Sequence, residues 1–225
     1  MIRREITDLF TNNGCPNFSP IKGIRSDQER IVNEIINLVN ESPEVAEELA
    51  KIRTNLRWDY PHSLRTAVLF YDLTEQEPEL LDAVGTETVI AAGLLHDIGK
   101  LWMPKKILYK PGKLKEQEIE LIKLHSLYGS MMLRYLEDKY PDISGIVFEH
   151  HQDQPFSYVH RSDDPLVLRL GALLCLADQH EALSSSRSYK VAFSQELSKQ
   201  ILNGRFPAMV KETDYLISRY GNEKN

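Results

Sequence analysis

The stretch TETVIAAGLLHDIGK, residues 86–100, is apolar from Val89 to Leu95 and then presents His96, Asp97 and Lys100. A segment of this length with no alternation and no polar face predicts a helix buried on all sides, capped by Thr86 and ending near Gly99. An imidazole and a carboxylate at the end of such a helix need partners, because an unpaired buried charge is costly. The pattern recurs in GALLCLAD, residues 171–178, which closes on Asp178.

Helical signals surround both stretches. Ser26 to Glu29 reads as a capping box, and IVNEIINLVN (31–40) places Ile31, Ile35, Ile36 and Val39 on one stripe. Ser42-Pro43 predicts a helix to about Arg53, and Pro61 opens another through HSLRTAVLFYDL (62–73). Residues 101–115 read as an irregular connection around Pro104 and Pro111-Gly112. A long helix is expected over 116–138, stopped by Pro141, then a short one over 142–151. After the polar stretch 152–164, Pro165 opens a buried helix, followed by two more near 194–203 and 206–218. The expectation is all-α with one core, divided into an N-terminal helical extension (1–57) and a main domain (58–225).

Composition narrows the class. The chain has 225 residues, 42% hydrophobic and 27% charged, with a net charge of −6, which excludes disorder as the main state. A pI of about 5.7 argues against a nucleic-acid polymer or an anionic membrane as partner, while a local basic patch can still hold a phosphate compound. The 2 cysteines, Cys15 and Cys175, make no disulfide framework, and Cys175 reads as a buried thiol. MIRREITDLF carries no apolar stretch of a signal peptide, and no run reaches the ~18 apolar residues of a membrane span. A cytoplasmic protein is expected.

The chain's 7 histidines are His62, His96, His125, His150, His151, His160 and His180. A lone histidine near an apolar face is more often a hydrogen-bonded core residue than a ligand. Several converging on carboxylates, without thiolates, suit Zn, Mn or Fe, and four imidazoles with a bridging Asp can hold two ions. Adjacent helical residues point ~100° apart, so His96/Asp97 and His150/His151 can each serve two ions in one cavity. Lys100, four residues after His96 and three after Asp97, is expected to overhang the same cavity.

His96-Asp97-Ile98-Gly99-Lys100 resembles the defining motif of the HD superfamily of metal-dependent phosphohydrolases. The ordered series His62, His96-Asp97, His125, His150-His151, Asp178 resembles the fuller pattern of its HD-GYP branch, as do KILYKPGKL (106–114) and ADQHEALSSSRSYK (177–190). The resemblance implies a helical bundle with two divalent ions, iron or manganese foremost and zinc, nickel or magnesium as further candidates. It also implies phosphodiesterase activity on cyclic di-GMP or a related cyclic dinucleotide, by hydroxide activated between the ions. By position it implies His62, His96, Asp97 and Asp178 around one ion. Asp97 would bridge to a second held by His125, His150 and His151. Lys100 would act in catalysis on the scissile phosphate, with Arg187 and Lys190 gripping substrate phosphate. His160 and His180 have no counterpart in the pattern and read as surface residues.

Two departures stand out. The GYP tripeptide and its glycines do not follow His151, and Trp58 occupies the position where members with a third metal carry a glutamate. Lys105, Lys106, Lys110, Lys113 and Lys115 read first as a solvated face and second as a field for an anionic substrate. Alternatives are a nucleotide phosphomonoesterase of the same superfamily and a non-catalytic module that binds cyclic dinucleotides or a partner. A homodimer or a signalling protein partner stays open.

Overall fold

The computed structural model describes residues 26–56, 58–151, 162–185 and 192–220. Among these residues the regular structure is entirely helical: α1 (Ser26–Glu41), α2 (Pro43–Asn55), α3 (Asp59–Thr74), α4 (Pro78–Val84), α5 (Thr86–Leu95), α6 (Lys105–Leu108), α7 (Glu116–Lys123), α8 (His125–Leu133), α9 (Ile143–Glu149), α10 (Pro165–Ser184), α11 (Gln195–Arg205) and α12 (Val210–Tyr220). Two 3₁₀ turns, Ile98–Trp102 and Arg134–Leu136, complete it. No described helix is long and apolar enough to cross a membrane.

The centre is α3 with α5 against one side and α10 against another; the burial of α5 is what its lack of a polar face predicts. Every residue of α3 from Tyr60 to Thr74 is buried, and so is every residue of α5 from Thr88 to Leu95. A close approach holds this pair together. A Cβ on Gly93 would lie 2.7 Å from the Ala67 Cα, so only a residue without one lets the two backbones meet there. Around this core, α9 packs on α8 and α10, and the 98–102 turn packs on α8. The stripe Ile31, Ile35, Ile36 and Val39 is buried as predicted, and α1 and α2 lie on α3 and α5 within the same apolar core. Asp72 anchors α12, accepting from Tyr215, Arg219 and Tyr220.

Several boundaries differ from the sequence reading. Gly85, not Thr86, is the N-cap of α5, and no side chain caps that end. The irregular connection 101–115 contains the one-turn helix α6. The helix expected over 116–138 is broken at Leu124 into α7 and α8. At that break the Ile122 carbonyl accepts from the His125 ring at 2.7 Å. An imidazole there competes for a carbonyl that the continuing helix would use.

Candidate metal centre

Five helices each deliver part of one buried cluster. His62 lies in the first turn of α3, His96 caps the C-terminal end of α5, and Asp97 follows it. His125 begins α8, His150 caps the C-terminal end of α9, and Asp178 sits on α10. All six are buried, and His151 is half-buried. Two triads emerge, His62/His96/Asp178 and His125/His150/His151, each with its donor atoms within 4.8 Å of one another.

Asp97 lies between the triads. Its Oδ2 is 3.4 Å from His96 Nε2 and 3.7 Å from His62 Nε2, while its Oδ1 is 3.3 Å from His125 Nε2. One carboxylate thus presents one oxygen to each triad. Within the first triad, His62 Nε2 is 2.8 Å from Asp178 Oδ1.

The tautomers follow from the outer partners. His96, His125 and His150 each direct Nδ1 at the backbone carbonyl three residues earlier, those of Gly93, Ile122 and Val147 at 2.9, 2.7 and 2.5 Å. A carbonyl oxygen only accepts, so Nδ1 carries the hydrogen and the neutral ring keeps its Nε2 lone pair for the cavity. His62 differs, because its Nδ1 faces the Glu181 carboxylate. Glu181 also accepts from Arg65 Nε at 2.6 Å and from Ser185 Oγ at 2.6 Å.

The ionisation states suit a cation. Burial, reinforced by the neighbouring imidazoles, holds His150 well below the usual histidine range. Burial with His151 and Lys100 nearby brings His125 down to about 3, against the opposing pull of Asp97. Burial lowers His151 as well. Burial also acts on His62, but Glu181 and Asp178 outweigh it and raise the ring to about 9. The two carboxylates that favour a proton on that ring favour a metal cation for the same electrostatic reason, and ligation displaces the Nε2 proton. Asp97 is held well below the ordinary carboxylate range despite its burial, by Lys100 and His96. Asp178 is likewise lowered against its burial, chiefly by His62.

These donors fit divalent cations. The Nε2 of His96 is buried with no hydrogen-bond partner. Such an orphan is expensive in a protein interior and useful as a metal ligand. Imidazoles with two carboxylates and no thiolate suit Fe, Mn or Zn over Ca or Mg.

Lys100 lies at the edge, with Nζ 2.5 Å from Asp97 Oδ2 and 2.9 Å from Asp59 Oδ1. These carboxylates outweigh its burial and keep the ammonium charged above the ordinary lysine range. Asp59, Glu181, Arg65 and Ser185 were absent from the sequence reading. Glu181 left one usable signal, its place three residues after Asp178 on the same helix face.

One expectation is corrected. His180 is not a surface residue but 1% exposed, and burial lowers its ring to about 4. Its helix α10 is covered on several sides, so lack of a role in the ligand pattern said nothing about exposure. Arg187, Lys190, His160 and the segment that follows His151 lie outside the described residues. Of the lysine cluster, Lys105, Lys106, Lys113 and Lys115 are exposed and Lys110 pairs with Glu118 at 2.5 Å, which matches a solvated face.

The sequence model of the HD domain family matches residues 59–183. A cyclic di-GMP phosphodiesterase of Pseudomonas aeruginosa is 33% identical over 165 residues, covering 71% of this chain and 38% of its own length. A 3′3′-cGAMP-specific phosphodiesterase of Vibrio cholerae is 28% identical over 180 residues, covering 76% of this chain and 33% of its own length. This chain therefore spans little more than a third of these curated relatives. Among solved structures, the HD domain of the Listeria monocytogenes phosphodiesterase PgpH superposes with a TM-score of 0.53 at 17% identity, over 76% of this chain and 93% of that one. That likeness is one of fold.

Proposed function

The chain belongs to the HD domain family, and we propose that it is a metal-dependent phosphodiesterase acting on a cyclic dinucleotide of the cyclic di-GMP or cGAMP kind. The observation that carries this reading is Asp97, with one oxygen toward each of two histidine-rich triads. The names of the relatives from Pseudomonas aeruginosa and Vibrio cholerae supply the substrate class.

In this reading His62, His96 and Asp178 hold one divalent ion, His125, His150 and His151 hold a second, and Asp97 ligates both. Iron or manganese is the favoured pair. Two such ions lower the pKa of water and offset charge on a phosphoryl group. The protein supplies the rest. Nδ1 tethers fix four rings with Nε2 inward, so little reorganisation accompanies the reaction. The Lys100 ammonium, held at the rim by Asp59, faces the phosphate oxygens or the leaving oxygen. Arg187 and Lys190 are assigned to substrate phosphate. Water adds across one phosphodiester, a P–O bond breaks, and a linear dinucleotide with a terminal phosphate leaves. Residues 58–225 form the catalytic unit in this reading, with 1–57 as a packing extension.

Asp97→Asn tests it. The amide keeps the size but loses the charge, and its nitrogen is a poor ligand. The expected outcome is loss of at least one metal per chain and loss of cyclic di-GMP hydrolysis, with circular dichroism unchanged. Two retained metals with near-native turnover would remove the bridging role. An unmutated chain that takes up no Mn or Fe when purified without chelators would remove the enzyme.

A further inference from the structure

A cavity of about 630 Å³ is walled by Trp58, Ile107, Leu108, Tyr109, Pro111 and Leu114, and Trp58 directly precedes Asp59, the partner of Lys100. Its volume is that of a small-ligand site, and its walls are aromatic and aliphatic, with Lys110, paired to Glu118, at the lining. We propose that this cavity receives a nucleobase of the substrate, stacked on Trp58 and Tyr109. The proposal rests on the nucleotide reading above and deepens it.

Position carries the argument. Trp58 is the N-cap of α3, with the helical dihedrals φ −86° and ψ −25°, four residues before His62. Residues four apart on a helical backbone share a face, one turn from each other, so Trp58 stands one turn beyond His62 on the same side of α3. Its neighbour Asp59 accepts from Lys100, and Lys100 donates to Asp97. The cavity wall is thus joined to the metal centre through two ion pairs that share Lys100. Across the cavity, Tyr109 is 40% exposed, with its hydroxyl 3.4 Å from the Asn55 carbonyl. Burial first and Asp59 second push the pKa of that hydroxyl up, with Lys100 opposing. Gly112, at φ +92°, turns the chain back to complete the wall, a conformation that a side chain there would strain.

Chemistry selects the occupant. A nucleotide joins its phosphate to its base through one sugar. A phosphate beside Lys100 and Asp97 therefore leaves its base within reach of the Trp58 wall. Every base has a flat π face, and aromatic side chains stack on it with little regard to sequence. Aliphatic side chains at Ile107, Leu108 and Leu114 exclude water from such a stack.

The chain's 2 tryptophans make the test direct. Trp102 is 56% exposed and packs on Tyr128, away from the cavity lining, so Trp102→Phe leaves Trp58 as the sole tryptophan, excited selectively over the tyrosines at long wavelength. Guanosine 5′-monophosphate should quench that emission, and ribose 5-phosphate, which has no base, should not. By calorimetry, Trp58→Ala should weaken guanosine 5′-monophosphate by about tenfold and leave ribose 5-phosphate unchanged. Circular dichroism and metal content serve as controls. Tyr109→Leu should give the same loss of discrimination, and it stands in if Trp58→Ala does not fold. Equal affinity of the unmutated chain for the two ligands would overturn the proposal. So would an equal loss for both in the variants, which marks a structural role. If guanosine 5′-monophosphate is preferred but cyclic di-GMP is not cut, the phosphodiesterase reading falls and the base site stands. If cyclic di-GMP is cut without that preference, the reverse holds.

Discussion

Glu181 divides its carboxylate, one oxygen for His62 Nδ1 and the other for Arg65 and Ser185. It touches no inward-facing lone pair, yet it sets which nitrogen of His62 is offered. A ring donating to a full negative charge is also a stronger ligand than one donating to a carbonyl. Glu181→Gln keeps the shape and removes the charge, so metal affinity should fall by about 10- to 100-fold. Titration calorimetry with Mn(II) on the metal-free chain reads it, and Glu181→Asp tests whether charge alone restores binding. An unchanged dissociation constant in Glu181→Gln would mean that His62 is positioned by packing. The contrast with Asp97 shows what a sequence discloses. His96-Asp97 was legible because polar groups ending an apolar helix have few bland explanations. Glu181 was not, because a glutamate in QHEAL, near the end of a helix, is ordinarily solvated. His180 failed in the opposite direction, since a residue outside the ligand pattern was taken for an exposed one.

The 3₁₀ turn Ile98–Trp102 sets the distance between α5 and α8. A Cβ on Gly99 would lie 1.9 Å from the His125 carbonyl oxygen and 2.4 Å from the Gly129 amide nitrogen, both main-chain atoms that cannot swing away. Gly99→Ala must therefore push α8 outward, and His125 with it, from its 3.3 Å approach to Asp97. Overpacking of this kind costs about 1–3 kcal/mol. The expected result is a lower melting temperature together with loss of metal from the His125, His150 and His151 side. A native melting temperature and native metal content in Gly99→Ala would show that the contact is not rigid. At this scale the sequence revealed helices better than their breaks. The apolar spacing of Ile119, Leu121, Ile122, Leu127 and Met131 runs straight across Leu124, whereas at the interruption the His125 ring takes the Ile122 carbonyl. That event leaves no mark in apolar spacing.

Across the whole molecule, α3, α5, α8, α9 and α10 all lend side chains to one cluster, so cations held by its two triads would tie the bundle together. Ligands that bind only the folded chain stabilise it by mass action, about 2.7 kcal/mol at a hundredfold excess over the dissociation constant. For a chain of this size that amounts to a rise of about 5–10 °C in melting temperature. Differential scanning calorimetry with and without Mn(II) checks it, and an unchanged transition at saturating metal would show that these helices do not share an ion. The all-α core was readable from residues 86–98, where no polar face exists, and from the apolar run that opens at Pro165. The packing partner of each helix was not, because apolar periodicity carries no address. The two triads also differ in how far apart their members lie along the chain. His125, His150 and His151 fall within one short segment, whereas His62 must wait for Asp178 on α10. During synthesis from the N-terminus, the first group is complete while α10 is still unmade, and the second closes only when the last central helix docks. On the two-metal reading proposed above, metal capture would then be ordered in time: one half of the centre would be available to a nascent chain, and the other would report that the bundle is finished.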